Sequence, residues 1–116
     1  VRLNDALDAV CNETIQRIPV RIESASGDYE ILNLLDCVQC VDPKASIYTR
    51  WSAADGRPEK NGQYRMITKL VLNPRTLGGH HIFRVMEWSI AVIVSEEARS
   101  AIASCSPSGV SFQSVV

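Results

Sequence analysis

The stretch Tyr29–Pro43, YEILNLLDCVQCVDP, constrains the fold more than any other part of the chain. It is the longest nearly continuous apolar run in the first half. Alternation from Tyr29 puts Tyr29, Ile31, Asn33, Leu35 and Cys37 on one face. Glu30, Leu32, Leu34, Asp36 and Val38 fall on the other. Both faces are largely apolar, which predicts a strand covered on both sides. A Leu-rich run is also compatible with a buried helix. The turn residues Ser26–Asp28 before it and the Asp42-Pro43 stop after it favour a short, bounded strand.

The flanking segments supply partners for such a strand. Leu3, Ala6, Leu7 and Val10 recur at helical spacing, with Asn4, Asp5 and Asp8 outside, so a short amphipathic helix runs to about Cys11. Its early acids suit the positive end of the helix dipole. Ile18, Val20 and Ile22 alternate with Arg17, Pro19, Arg21 and Glu23, the pattern of a half-buried strand. Pro19 marks an edge or a bulge, and the turn at 24–28 makes an antiparallel hairpin with the central strand.

Beyond Pro43, Ser46–Trp51 (SIYTRW) is rich in strand formers. Ser52–Gln63 (SAADGRPEKNGQ) reads as a mobile loop. Arg65–Leu72 returns as a strand with Met66, Thr68, Leu70 and Leu72 on one face. Asn73–Gly79 is a turn, His81–Glu87 a further strand, and Ile90–Val94 a buried segment. Ser95 is a good N-cap, with Glu96 and Glu97 filling the first turn of a helix whose stripe is Ala98, Ala101, Ile102 and Cys105. Ser106–Gly109 ends it, and Val110–Val116 is expected to close the chain as a strand. The two ends also match in pattern: Leu7, Val10, Ile15 and Val20 recur as Ile102, Cys105, Val110 and Val115. Either any two helix–strand units align this well, or both ends pack as equivalent layers on one sheet.

These elements predict an α+β domain, a mostly antiparallel twisted sheet with two short helices, one near each end. At 116 residues, residues 1–116 form a single domain with room for one hydrophobic core. A net charge of −1 gives no whole-molecule field to attract nucleic acid or an anionic membrane, so neither is an expected partner. No apolar run approaches the length of a membrane span, and no secretory signal opens the chain. The start at Val1 rather than Met is compatible with the C-terminal part of a longer protein.

Four cysteines stand at 11, 37, 40 and 105. The ordinary apolar content needs no disulfide staples, which favours reduced thiols in the cytoplasm. Cys37-x-x-Cys40 ends an apolar strand and lacks the following helix that would lower a thiol pKa. Buried structural thiols are the leading reading, with a thiol oxidoreductase or metal role as the alternative. His80 and His81 point to opposite faces if extended, so they do not make one metal site. No nucleophile motif accompanies them, so no catalytic residue, metal or cofactor is expected. Asp36, within the apolar run, must find a hydrogen-bond donor or mark a contact site. Tyr48, Arg50, Trp51 and Trp88 are interface-anchor residue types equally at home in a core. Arg50 and Arg65 flank the 52–63 loop.

The ordered series YEILNLLDCVQCVDPKASIY, Trp51, ITKLVLNP, GGHHIFRVMEW, VIVSEEARSAI and GVSF resembles the immunity-eleven family of bacterial immunity proteins from polymorphic-toxin loci. Tyr29, Leu32, Asn33, Asp36, Cys37 and Asp42 match its first run. Leu70, Val71, Leu72 and Pro74 match the second, with Asn73 where the family has Asp. His81–Arg84 match the third, and Val94, Ser95, Glu96 and Ala101 the fourth. The resemblance spans nearly the whole chain and implies a non-enzymatic protein that binds and blocks a cognate toxin domain. It carries over no catalytic residue and no toxin identity. On this reading the binding edge comprises Tyr48, Arg50, Trp51, Asp55, Glu59 and Arg65. A non-catalytic ligand- or protein-binding domain of a larger protein is the alternative, and the oligomeric state stays open.

Overall fold

The computed structural model describes residues 2–115 and is α+β, as expected. Helix α1 (Arg2–Cys11) opens the chain and helix α2 (Glu96–Ala103) lies near its end. Between them run strands β1 (Ile15–Val20), β2 (Tyr29–Leu34), β3 (Cys37–Val38), β4 (Ile47–Arg50), β5 (Tyr64–Lys69), β6 (Ile82–Val85) and β7 (Trp88–Val94). The strands divide among three small sheets: the antiparallel pairs β1–β2 and β4–β5, and the mixed set β3–β6–β7. The parallel β3–β6 pair is the exception to antiparallel pairing.

The helices form where local signals are strongest. Leu7 and Cys11 lie one turn apart, both buried, and Asn4 on the same face donates to Glu30. Ser95 caps α2, its hydroxyl accepting from Ala98 N at 3.1 Å. The two helices pack on each other over a core of Leu7, Cys11, Ile15, Ile82, Ala98 and Ile102. A second core joins Val38, Cys40, Leu72, Phe83 and Val85 around the β3–β6–β7 sheet, with Phe83 only 2% exposed. β6 links the two, because Ile82 faces one core and Phe83 the other.

The expected antiparallel β1–β2 hairpin forms, with Ile18 opposite Ile31 and Val20 opposite Tyr29. The expectation of a central strand covered on both faces is overturned. Only Glu30, Leu32 and Leu34 turn inward, while Tyr29, Asn33 and Leu35 are exposed and Ile31 is 53% exposed. The reason is topological: β2 pairs with β1 alone, and among the described residues nothing covers their outer face. A partly buried network holds the inner face. Arg17 pairs with Glu30 and Asp5 at 2.7 Å and reaches Asp8 at 3.4 Å, which fastens β1 to α1 and β2. The Arg17 hydrogen bond holds the Glu30 carboxyl below its usual range.

Three further expectations fail for related reasons. Ile90–Val94 is not buried throughout, since β7 is an edge strand and Ile90 is 77% exposed. β5 ends at Lys69, so Met66, Thr68, Leu70 and Leu72 do not share an inner face. Tyr64 and Ile67 are the inward residues, and Leu72 is buried through a separate bridge to Val41. Val110–Val115 forms no strand, and Val116 lies outside the described residues. The two ends are therefore not equivalent layers: their helices pack together, and only the first continues into a strand.

Candidate functional site

The β4–β5 hairpin gathers most of the residues expected at a binding edge. β4 bulges twice against β5, between Ile47 and Tyr48 and between Thr49 and Arg50. Bulges bend a strand and re-aim its side chains. Tyr48 and Arg50, two residues apart, meet Tyr64 on one side of the hairpin. The Tyr48 and Tyr64 rings meet edge-on at 5.0 Å, and the Arg50 guanidinium lies 4.3 Å over Tyr64 and 5.4 Å from the Tyr48 ring centroid. Arg50 also donates to Tyr64 Oη at 3.2 Å, to Glu87 Oε2 at 3.1 Å and to the Gly62 carbonyl. Tyr64 N donates to Glu87 O at 3.1 Å. Glu87 turns between β6 and β7 with a φ of 67°, so this group ties the hairpin to the main sheet. Burial pushes the Tyr64 hydroxyl up from its ordinary pKa.

Trp51 follows β4 and is half-buried at the mouth of the loop. Its backbone pairs with Gln63 O and Gly62 N at 2.8 and 2.9 Å. The loop is more ordered than its composition suggests. It holds two short 3-10 turns, Ala53–Asp55 and Pro58–Lys60. Asp55 accepts from Ser52 N at 2.7 Å and Ser52 Oγ at 3.2 Å, and these bonds lower its carboxyl pKa. Gly56 ends the first turn in the left-handed region, φ 72°, where a side chain is disfavoured. Three cations surround the Trp51 ring: Arg65 at 4.8 Å, Lys60 at 5.5 Å and Arg57 at 5.8 Å from its centroid. Asp55 pairs with Arg65 at 3.0 Å and Glu59 with Arg57 at 3.3 Å. Lys60 has no ion pair among the described residues.

The six expected residues thus fall into two groups. Tyr48 and Arg50 are packed into the hairpin's own support, with Arg50 fastening rather than free. Trp51 and Asp55, both partly buried, form the tip with the exposed Glu59 and Arg65. Arg57, inside the expected 55–59 segment, belongs to the same assembly, as do Lys60, Tyr64 and Glu87, which were not anticipated. The outer face of the hairpin adds Ile47 and Met66, 60% and 57% exposed. A readable signal was the distribution of charge. Residues 44–75 carry Lys44, Arg50, Arg57, Lys60, Arg65, Lys69 and Arg75 against Asp55 and Glu59 alone, a net of +5. Residues 1–43 carry three arginines against eight acids, a net of −5. The whole-chain value of −1 conceals this separation.

The sites that pointed to chemistry resolve into separate contacts. Cys40 is 0% exposed while Cys37, three residues earlier on β3, is exposed. Burial raises the thiol pKa of both Cys40 and Cys11. Asp36 finds its donor in His80, Nδ1 to Oδ2 at 2.7 Å. His81 turns instead to Ser95, whose hydroxyl reaches Nδ1 at 2.9 Å while accepting from Ala98 N. A hollow of about 510 Å³ beside His80 includes Cys11, but that thiol donates to Leu7 O at 3.3 Å within α1. A larger open groove of about 890 Å³ runs between β5, β7 and residues 111–115 and holds no cluster of ionisable groups. Trp88 Nε1 is buried without a hydrogen-bond partner among the described residues. Among the described residues no three His, Cys, Asp or Glu side chains could hold a metal ion, and no helix is long and apolar enough to cross a membrane.

No curated protein and no solved structure matches the chain. One family model does: the immunity protein family Imm11 matches residues 2–116. Because that match covers all but the first residue, the chain belongs to the Imm11 immunity protein family.

Proposed function

We propose that this protein neutralises a cognate bacterial toxin domain in the cytoplasm by binding and covering it, without chemistry of its own. The observation that carries the reading is the match of residues 2–116 to an immunity protein family. The burial of Cys40, and histidines each engaged by a different partner, support occlusion over catalysis. The binding edge is the β4–β5 hairpin tip: Trp51, Asp55, Glu59 and Arg65, positioned by Tyr48 and Arg50. It joins an aromatic anchor, several Arg side chains and exposed apolar residues, the composition of protein-interface centres. An interface of ordinary size covers on the order of 800 Å² per partner, more than the tip alone supplies. The apolar outer face of the same hairpin, with Ile47 and Met66, extends it.

Stoichiometry tests the mechanism. Occlusion predicts that toxin activity falls linearly with added protein and ends at one equivalent per toxin domain. Full neutralisation by a small fraction of an equivalent would mean that the protein inactivates the toxin by turnover.

A further inference from the structure

The hairpin's charge defines the kind of surface it fits. Arg57, Lys60 and Arg65 all stand within 6 Å of the Trp51 ring centroid, so three positive charges converge on one half-buried aromatic side chain. Asp55 and Glu59 answer two of them, and Lys60 is left unanswered among the described residues. Lys69, farther along β5, likewise has no ion pair among them. The opposite charge collects in residues 1–43, where Arg17 engages Asp5, Asp8 and Glu30. Of the remaining exposed acids there, Glu23 and Asp28 stand on the β1–β2 loop, which holds no Trp, and Glu13 lies in the turn after α1. A molecule divided in this way approaches a partner in a preferred orientation; its basic segment carries Trp51 ringed by cations, whereas the acidic loop is followed by Tyr29 alone.

From this we infer that the toxin domain presents an acidic surface, carrying Asp or Glu side chains, to the tip formed by Trp51, Arg57, Lys60 and Arg65. The inference rests on the immunity reading and adds the chemistry of the partner. Lys60 supplies an open charge, while Arg57 and Arg65 can exchange their internal carboxylates for the partner's. The acids already present in the tip keep the cations extended around the ring before the partner arrives.

The test measures association of the full chain with the catalytically inactivated toxin domain encoded beside it, at about 50 mM and about 500 mM NaCl. Expected are a fall in wild-type affinity of about tenfold across that range and a loss of about tenfold or more in Arg57→Glu/Lys60→Glu at low salt. Arg57→Gln/Lys60→Gln, which keeps side-chain bulk, should lie between. Thermal melts establish that each variant is folded. Glu23→Lys/Asp28→Lys, at the acidic end, should change affinity by less than about threefold. Tight binding that ignores both salt and the tip variants would overturn the acidic-surface inference and leave the immunity reading standing. Loss of binding in Glu23→Lys/Asp28→Lys instead would mean that the acidic end meets a basic toxin. Binding of a single-stranded DNA of about 20 nucleotides, with none of the toxin domain, would overturn both.

Discussion

Replacing Trp51 with Ala separates binding from folding, and its two costs follow from the structure. The ring is half-buried, so its burial contributes about 1–1.5 kcal/mol to the fold. Each cation at 4.8–5.8 Å adds about 0.5 kcal/mol at an exposed site. No two of those cations stand more than about 11 Å apart, so their mutual repulsion in water is at least about 0.4 kcal/mol per pair. Removing the ring loses the attraction and lets the charges spread, so these two terms nearly cancel. The net cost to folding is therefore about 1–2 kcal/mol. A domain with at least about 5 kcal/mol of stability would remain about 99% folded. Loss of an anchoring Trp at an interface costs about 2 kcal/mol or more, close to thirtyfold in Kd. Urea melts and binding isotherms on the same samples give both numbers. Affinity within about threefold of wild type, with the fold intact, would refute the placement of the anchor.

Four further outcomes follow. Leu7→Ala, at a fully buried position between α1, β1, β6 and α2, should cost about 3–4 kcal/mol in a denaturant melt, because neighbours from four elements cannot collapse together. Ser95→Ala removes the α2 cap and the hydroxyl on His81, and should cost about 1 kcal/mol in the same assay. Glu30 has a depressed folded pKa, so its stabilising pairing with Arg17 is complete above its ordinary value of 4.5 and is lost as pH falls through the lower folded value; Arg17→Met should flatten the acid limb of a stability–pH curve. In thiol titration of the folded protein, Cys37 and Cys105 should react while buried Cys11 and Cys40 wait for unfolding; rapid disulfide formation between Cys37 and Cys40 would contradict the burial of Cys40.

Much of the fold was legible where its cause is local. Helical spacing from Leu3 to Val10, the Ser95 cap and the turn before Tyr29 act over a few residues, and α1, α2 and the β1–β2 hairpin followed from them. Whether an apolar face is covered is a non-local matter. Ile31 and Ile90 alternate like core residues, yet each lies on a face that no other described element reaches. Val110 and Phe112 alternate too, but find no strand to pair with. The binding edge was legible in part because Trp51, Asp55 and Arg65 are close in sequence. The role of Arg50 was not, since its carboxylate partner Glu87 lies 37 residues away. The convergence of Arg57 and Lys60 on Trp51 was not legible, because it depends on the 3-10 turns that fold the loop back.

Hydrogen exchange of the protein, free and saturated with its inactivated toxin domain, tests the central claim most directly. Occlusion through the β4–β5 hairpin predicts slowed amide exchange concentrated in residues 47–66, with the α1–α2 core unchanged. Protection confined to the outer face of β1–β2, or none at all in a toxin that the protein nonetheless silences, would contradict it.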